Sequence, residues 1–586
     1  MNEIIKEVTS GKWKKGTKEQ KIADLYNNIL DVESRNKIGA APILPYLEMI
    51  DKVKNVTELM NVQNTLMENL YCAPFTAFSL TVDCKDSTKY IPVFDVCNPK
   101  MTKDFYISGT EAQKGAYFKY LKTVMELAGE NVIDAQLEEF YHFEKSLAEN
   151  MLNIEDMNNV DKIYNTYTLD EIQTLFPAVD TEKLLTSSGI QKEDKFLVTD
   201  VGLTEEFARL LNDENIEVLK TAAKLSVILN CGAALNTEFV DASNVFDQEF
   251  LGVSGTYSDE ERAATIVSDV MPDYIGEIYA EKYFTEEAKQ DVLKMVWDII
   301  SVYKKRIGNL TWMSDETKEK AIRKLDTMKI KIGYPDNLDT YLDDVQIKSV
   351  SDGGSYFENM LSVTEASRKE LSNLQGKSVD KTKWELYPYT VNACYSPTSN
   401  DITFPAAILQ PPVYDVNASY EENLGSIGYI IAHEITHAFD NDGAKFDENG
   451  NAADWWTAKD YEAFERLCEN MVTFYDGCES VPGIPMNGKL TLSENVADQG
   501  AVQCITEVAR GLENPDYKAL YRSMAKAWAS TRTREYADYA SKIDVHSDEK
   551  LRVNRVVVNC EEFYKAFDIK EGDGMYVPEN ERVKIW

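Results

Sequence analysis

The sequence predicts a mainly α protein with a small α+β domain toward its C-terminal end, and three observations lead there. Through roughly the first 335 residues, apolar side chains recur three and four positions apart, the spacing that gives a helix one apolar face. From Tyr389 the character changes to short strand-like segments separated by turn-forming residues. Those segments lead into an apolar helix from Ile427 to Asp440 that carries two histidines four positions apart. Strands followed by such a helix suit an α+β domain.

At 586 residues the chain is long enough for more than one core, and 44% hydrophobic and 11% aromatic content is that of a folded protein. Residues 1–336 are expected to form a mostly helical N-terminal domain. Within it, Gln136–Ala148 and Ala280–Ile307 have helical apolar spacing, with polar breaks at Asn158-Asn159 and Ser187-Ser188-Gly189. Ser314 is placed to cap a helix whose first turn holds Asp315 and Glu316, as the helix dipole prefers. Gly333-Tyr334-Pro335 closes the helical stretch. Residues 337–390, with Gly353-Gly354 and Pro388, read as a connecting segment. Residues 391–586 form the second expected domain, opening with strands at Val391–Tyr395 and Asp401–Phe404 around the turn cluster Ser396–Asn400.

Composition narrows the function. Ninety-nine acidic against 62 basic residues give a net charge of −37, which argues against nucleic acid or an anionic membrane surface as partner. No run approaches the ~18 uninterrupted apolar residues of a membrane span. The first thirty residues lack the apolar stretch of a secretory signal. None of the nine cysteines forms Cys-x-x-Cys, so a thiolate metal site is unsupported and most read as small buried hydrophobes.

The chemistry concentrates in Ile427-Gly-Tyr-Ile-Ile-Ala-His433-Glu434-Ile-Thr-His437-Ala-Phe-Asp440. Residues four apart on a helix share a face, so His433 and His437 can present both imidazoles to one zinc ion. Glu434, directly after the first histidine, is placed to act as general base on a water. The chain has only four histidines, so this pairing is hard to dismiss as two core residues. His142 stands alone on a helix and reads as structural. A catalytic zinc usually takes three protein ligands, and no third histidine follows His437 closely. Glu494, in Thr491-Leu-Ser-Glu494-Asn-Val-Ala-Asp498, could supply a carboxylate, with Asp498 accepting the other N–H of a ligand imidazole. The same Thr491-x-x-Glu494 spacing also fits a capping box. His546 and Arg552 are either donors to a developing oxyanion or plain surface residues.

Several separate blocks then match one family in order. They are Leu310–Thr317 through Ile332-Gly-Tyr-Pro335, Val391-Asn-Ala393, Phe404-Pro-Ala406 through Pro412, His433–Asp440, Asp454-Trp-Trp456, Glu494–Asp498, Asp544-Val-His546 and Met575-Tyr through Ile585-Trp586. On these the chain resembles the neprilysin-like M13 family of zinc endopeptidases, closest in character to bacterial oligopeptidases of the PepO type.

The resemblance implies a thermolysin-like zincin core plus a large helical lid domain enclosing a chamber that admits oligopeptides. It implies His433, His437 and Glu494 as ligands of one Zn2+ per chain, Glu434 as base, Asp498 as orienting carboxylate and His546 as transition-state donor. Arg552 would hold a substrate carbonyl, Asn392 and the Ala393 backbone would pair with the peptide main chain, and Ile408, Val413, Ile430 and Trp528 would line an apolar pocket after the scissile bond. A monomer is expected. Cysteines of the animal members have no counterparts, which favours a bacterial type. The start looks short for the family, so a removed export signal would place the protein at the cell surface or outside, and otherwise it would be cytoplasmic. Two rivals stand beside this reading: a catalytically silent relative kept for binding or adhesion, and a thermolysin-like enzyme of another family with no large lid.

Overall fold

The computed structural model describes residues 1–253, 255–338 and 340–586. Among these residues the chain forms 27 α-helices and nine strands, so it is mainly α. It divides into two units, each assembled from discontinuous stretches of chain.

The first unit comprises Met1–Asp83, Thr88–Tyr274 and Asp339–Val379. Its helices include Asp134–Asn150, where apolar spacing places one, and Thr181–Ser188, which Gly189 stops with φ +74°. It also holds a sheet of β1 (Thr76–Val82), β2 (Tyr90–Val96), β3 (Asn165–Tyr167) and β4 (Phe196–Val198) in the order β1-β2-β4-β3. β1 and β2 pair antiparallel from Thr76↔Val96 to Val82↔Tyr90. Phe78 packs on Phe94 and Phe196, with ring centroids 5.3 and 5.0 Å apart. Helix Asp134–Asn150 buries Glu144, whose carboxylate accepts Tyr106 Oη–H (2.7 Å), Tyr117 Oη–H (2.6 Å) and Lys100 N–H (2.8 Å). Burial pushes this carboxyl above its ordinary range, although the three donors oppose the shift.

The second unit comprises Cys84–Ser87, Ile275–Leu338 and Asp380–Trp586. It carries the small α+β part. Each unit is discontinuous because packing rather than sequence order decides membership. Helix Glu286–Asn309 sends Val292, Met295, Val296, Ile299 and Tyr303 into the same core as Ile427, Ile431 and Ile435. Ala280–Ile307 is not one helix: it breaks between Tyr283 and Glu286, where the Thr285 hydroxyl accepts Ala288 N–H at 3.2 Å. The helix capped by Ser314 stops at Thr327, and Lys329–Gly333 is a strand, β5. Ile330 and Ile332 alternate with lysines there, a period of two.

β5 pairs in parallel with β7 (Asp401–Pro405), which pairs antiparallel with β6 (Cys394–Ser396). The central β7 is buried along its whole length. A hairpin of β8 (Glu479–Val481) and β9 (Ile484–Pro485) lies further along the chain. Against this framework pack three helices that matter below: the histidine helix Ile427–His437, the glutamate helix Leu492–Arg510 and the arginine helix Glu549–Val557. The first two approach so closely that a Cβ on Gly500 would sit 2.5 Å from Thr436 Cγ2 and 2.9 Å from Tyr303 Oη. No single helix among the described residues is long and apolar enough to cross a membrane.

Candidate metal centre

The histidine helix holds His433 and His437 one turn apart, with their Nε2 atoms 3.0 Å from each other. Glu494 projects from the glutamate helix so that Oε2 is 3.1 Å from His433 Nε2 and Oε1 is 3.6 Å from His437 Nε2. Among the described residues these three are the group whose metal-ligating atoms converge, all within 4.8 Å of one another. Glu494 does not act as a capping-box residue, because the Thr491 hydroxyl caps no N–H of this helix and instead accepts Asn495 Nδ2–H at 2.9 Å.

Each ring's other nitrogen is committed. His433 Nδ1 lies 2.8 Å from Asp498 Oδ1, and His437 Nδ1 lies 2.6 Å from Asp440 Oδ2. A carboxylate there fixes the Nδ1–H tautomer, so each Nε2 turns a lone pair inward. Glu494 Oε2 is buried and receives no well-directed hydrogen bond despite its near neighbours. Three lone-pair donors facing one point require positive charge between them, either a proton or a metal ion. Two imidazoles and a carboxylate suit Zn2+.

The electrostatics agree. Burial disfavours charge on His437, but Glu494 and Asp440 outweigh it and push the ring up to about 10. Burial and the His437 ring likewise disfavour charge on His433, yet Asp498 and Glu494 raise its pKa. Burial also opposes ionisation of Glu494, and the two rings reverse that to hold it well below the carboxylate range. Glu434, buried beside His433, is raised chiefly by burial, with both rings opposing. Its charge reaches β6, where the Cys394 thiol is pushed up to about 12 by burial and next by Glu434.

Asp498 is locked from its far side. Arg552 Nε donates to Oδ2 and Nη2 to Oδ1, both at 2.9 Å. Burial raises the Asp498 carboxyl, but Arg552 and His433 more than reverse it. Arg552 is therefore buried and forked onto Asp498, and its plane lies 4.1 Å from the Trp528 ring centroid. His546 is exposed, with Nε2 3.2 Å from Glu494 Oε2 and Nδ1 2.8 Å from Asp544 Oδ1. Asn392, Trp528, His546 and Arg552 line one cavity of about 260 Å³, together with Ile484 and Met486. The Ala393 N–H is taken by Asn392 Oδ1 at 3.0 Å, which leaves the Ala393 carbonyl as the backbone group to offer. Ile408 is buried, and Val413 and Ile430 are half-buried, in the apolar cluster that surrounds the histidine helix.

Three residues escaped sequence reasoning. Asp440 orients His437, Ser493 donates its hydroxyl to Asp440 Oδ2 at 2.6 Å, and Asp544 orients His546. Their signal was local: His-x-x-Asp places an acid one turn past a ligand, and Asp-x-His places one beside a donor.

Family models described as peptidase family M13 match residues 1–335 and 392–583. A neutral endopeptidase of Lactococcus lactis is 33% identical over 570 residues, covering 96% of this chain and 89% of that protein. The crystal structure of PepO from Lactobacillus rhamnosis superposes with a TM-score of 0.92 at 27% identity, covering 100% of this chain and 93% of that one. The Mycobacterium tuberculosis zinc metalloprotease Zmp1 in complex with an inhibitor gives 0.91 at 26% identity, covering 100% and 91%.

Proposed function

This chain belongs to peptidase family M13 and is a zinc metalloendopeptidase, and from that premise we propose how its own residues cleave oligopeptides. His433, His437 and Glu494 hold one zinc per chain, and all three come from one copy, so a monomer suffices. When bound, zinc polarises the scissile carbonyl and makes a water more acidic. Glu434 takes the proton of the attacking water and passes it to the leaving amine; its burial favours a base poised nearer neutrality. Asp498 keeps His433 in the ligating tautomer, and Arg552 keeps Asp498 in place. His546, exposed beside Glu494, donates to the developing oxyanion. Arg552 can reach a substrate carbonyl only with the N–H groups that Asp498 does not use.

β6 pairs with β7 on one side, and a peptide adding along its other edge could pair with Asn392 and the Ala393 carbonyl. Ile408, Val413, Ile430 and Trp528 then favour a bulky apolar side chain after the scissile bond. The first unit takes the lid role that the family likeness implies, limiting substrates to oligopeptides.

The observation that carries this reading is the convergence of two imidazole nitrogens and a carboxylate oxygen that receives no well-directed hydrogen bond. A fluorogenic peptide tests it. Cleavage should vanish on chelation, return with zinc, and be lost in Glu434→Gln although zinc still binds. Zinc-loaded protein that cleaves no peptide would overturn it and leave a silent binding relative. Peptides with Phe or Leu against Asp after the scissile bond test the pocket, and equal rates would remove it.

A further inference from the structure

Lys324, on the helix Asp315–Thr327, is only 1% exposed and takes no part in the chemistry above. Its Nζ donates to three backbone carbonyls, Ala438 O (2.8 Å), Gly443 O (2.8 Å) and Phe446 O (2.7 Å), one for each proton of the ammonium form; burial pulls the group down to about 7, with Asp440, Asp447 and Glu448 opposing. Tyr395, Phe439 and Trp455 wall it in, each ring centroid 5.7 Å from Nζ. A buried lysine normally has a carboxylate partner. Here three backbone oxygens cradle Nζ instead.

All three carbonyls lie on the turn by which the chain leaves the histidine helix. That turn folds back tightly, since a Cβ on Gly443 would sit 1.7 Å from His437 O. It carries Asp440, whose Oδ1 accepts Asp442 N–H (2.9 Å) and Gly443 N–H (2.6 Å) and whose Oδ2 faces His437 Nδ1. Amide donors therefore hold the Asp440 carboxylate, while the carbonyls of the same turn converge on Lys324. Three convergent carbonyl dipoles repel one another unless a cation sits among them.

We propose that Lys324 is a positioning residue for the metal centre: its ammonium closes the 438–446 turn so that Asp440 holds His437 in its ligating orientation, and it thereby sets zinc affinity. The proposal rests on the zinc-binding reading above. It predicts that Lys324→Met, which keeps the stem and removes the charge, weakens zinc binding by about tenfold or more, as outer partners of metal ligands do. Chelator competition reads the affinity, and circular dichroism verifies the fold.

Three results separate this from a merely structural lysine. If Lys324 acts through Asp440, the double variant Lys324→Met/Asp440→Asn should bind zinc no more weakly than Asp440→Asn alone; full additivity overturns the proposal. In Lys324→Ala, propylammonium should restore zinc affinity and 1-propanol should not; equal effects overturn it. Folded Lys324→Met with wild-type zinc affinity also overturns it. Should Lys324→Met fail to fold, Lys324→Arg serves: its fork keeps the charge but cannot match three carbonyls, so zinc should weaken by a smaller factor, and wild-type affinity counts against the proposal. Wild-type zinc binding and cleavage report on the peptidase reading, whereas the variant-to-wild-type ratio reports on Lys324. A chain that binds zinc but cleaves nothing would sink the first and leave the second.

Discussion

Two buried glutamates, one in each unit, show how differently one side chain can be used. Glu144 is 2% exposed and Glu494 is 8% exposed. Both sit on helices. Glu144 accepts two tyrosine hydroxyls and a backbone amide, so its oxygens are satisfied by neutral donors, and burial still raises its carboxyl against them. Glu494 faces the Nε2 atoms of two imidazoles whose Nδ1 atoms are held by other carboxylates, keeps one oxygen without a directed donor, and is depressed by those rings well below the ordinary range. Burial alone therefore does not mark a functional carboxylate. The mark is a buried acid whose neighbours leave room for a cation. A satisfied acid glues a core, while an unsatisfied one waits for a ligand.

The largest effect that would sharpen this contrast lies beside Glu494. Glu434→Gln should lower peptide cleavage by on the order of 10²–10⁴ while bound zinc, measured by metal analysis, is unchanged. Glu494→Gln should lose the bound zinc itself. If it kept zinc at wild-type affinity, the reading of the orphaned oxygen would be wrong. Next, Asp498→Asn removes the partner of both His433 and Arg552, and chelator competition should show zinc weakened by about 10–100-fold. Its thermal stability should also fall, because the Arg552 guanidinium loses its buried counter-charge.

In the other unit, Glu144→Gln should cost about 1–3 kcal/mol in denaturant unfolding, with zinc affinity unchanged. A zinc effect there would break the contrast. The subtlest test is pH. His437 is raised from ~6.5 to about 10 in the zinc-free protein, so its proton stabilises the fold fully below ~6.5 and that contribution is lost as pH rises to about 10. Zinc needs the neutral ring, so the gain in melting temperature on adding zinc should grow across that window. A pH-independent gain would contradict the shift. Glu494 works in the opposite sense: its depressed pKa stabilises the zinc-free fold above ~4.3, and acid removes that contribution.

How much of this was legible depended on how local each signal is. His433, His437 and Glu434 were readable because the i, i+4 rule acts within one helix, and Glu494 with Asp498 repeats the rule on a second. Helix caps such as Ser314 were readable for the same reason. Of the strands, β6 and β7 were readable, as Val391–Tyr395 and Asp401–Phe404 around a turn cluster, and the others were not. β5 is five residues long after a helix, and its partner β7 lies some seventy positions on. β1 alternates in sequence only from Phe78 to Val82 and β2 is buried nearly throughout, and both are embedded in helical surroundings that dominate a window-based reading. Lys324 was illegible in principle, because nothing in its neighbours says that three carbonyls over a hundred residues away will close on it. Which core helix Glu286–Asn309 joins was obscured likewise, since its apolar pattern is the same for either.

The discontinuous make-up of the two units has a consequence for synthesis. When residue 274 leaves the ribosome, the first unit still lacks residues 339–379. Helix Tyr356–Leu374 belongs to that missing stretch, with Tyr356, Asn359 and Val363 buried and Arg368 Nη1 donating to Met67 O at 2.8 Å. Residues 275–338 emerge next, yet they pack with a partner whose last element ends the chain at Trp586. Neither unit can close in the order it is made. The faces of the first unit that residues 339–379 cover, and the core faces of residues 275–338, therefore stay uncovered until later chain emerges, which exposes them to misassociation and gives chaperones a window of engagement.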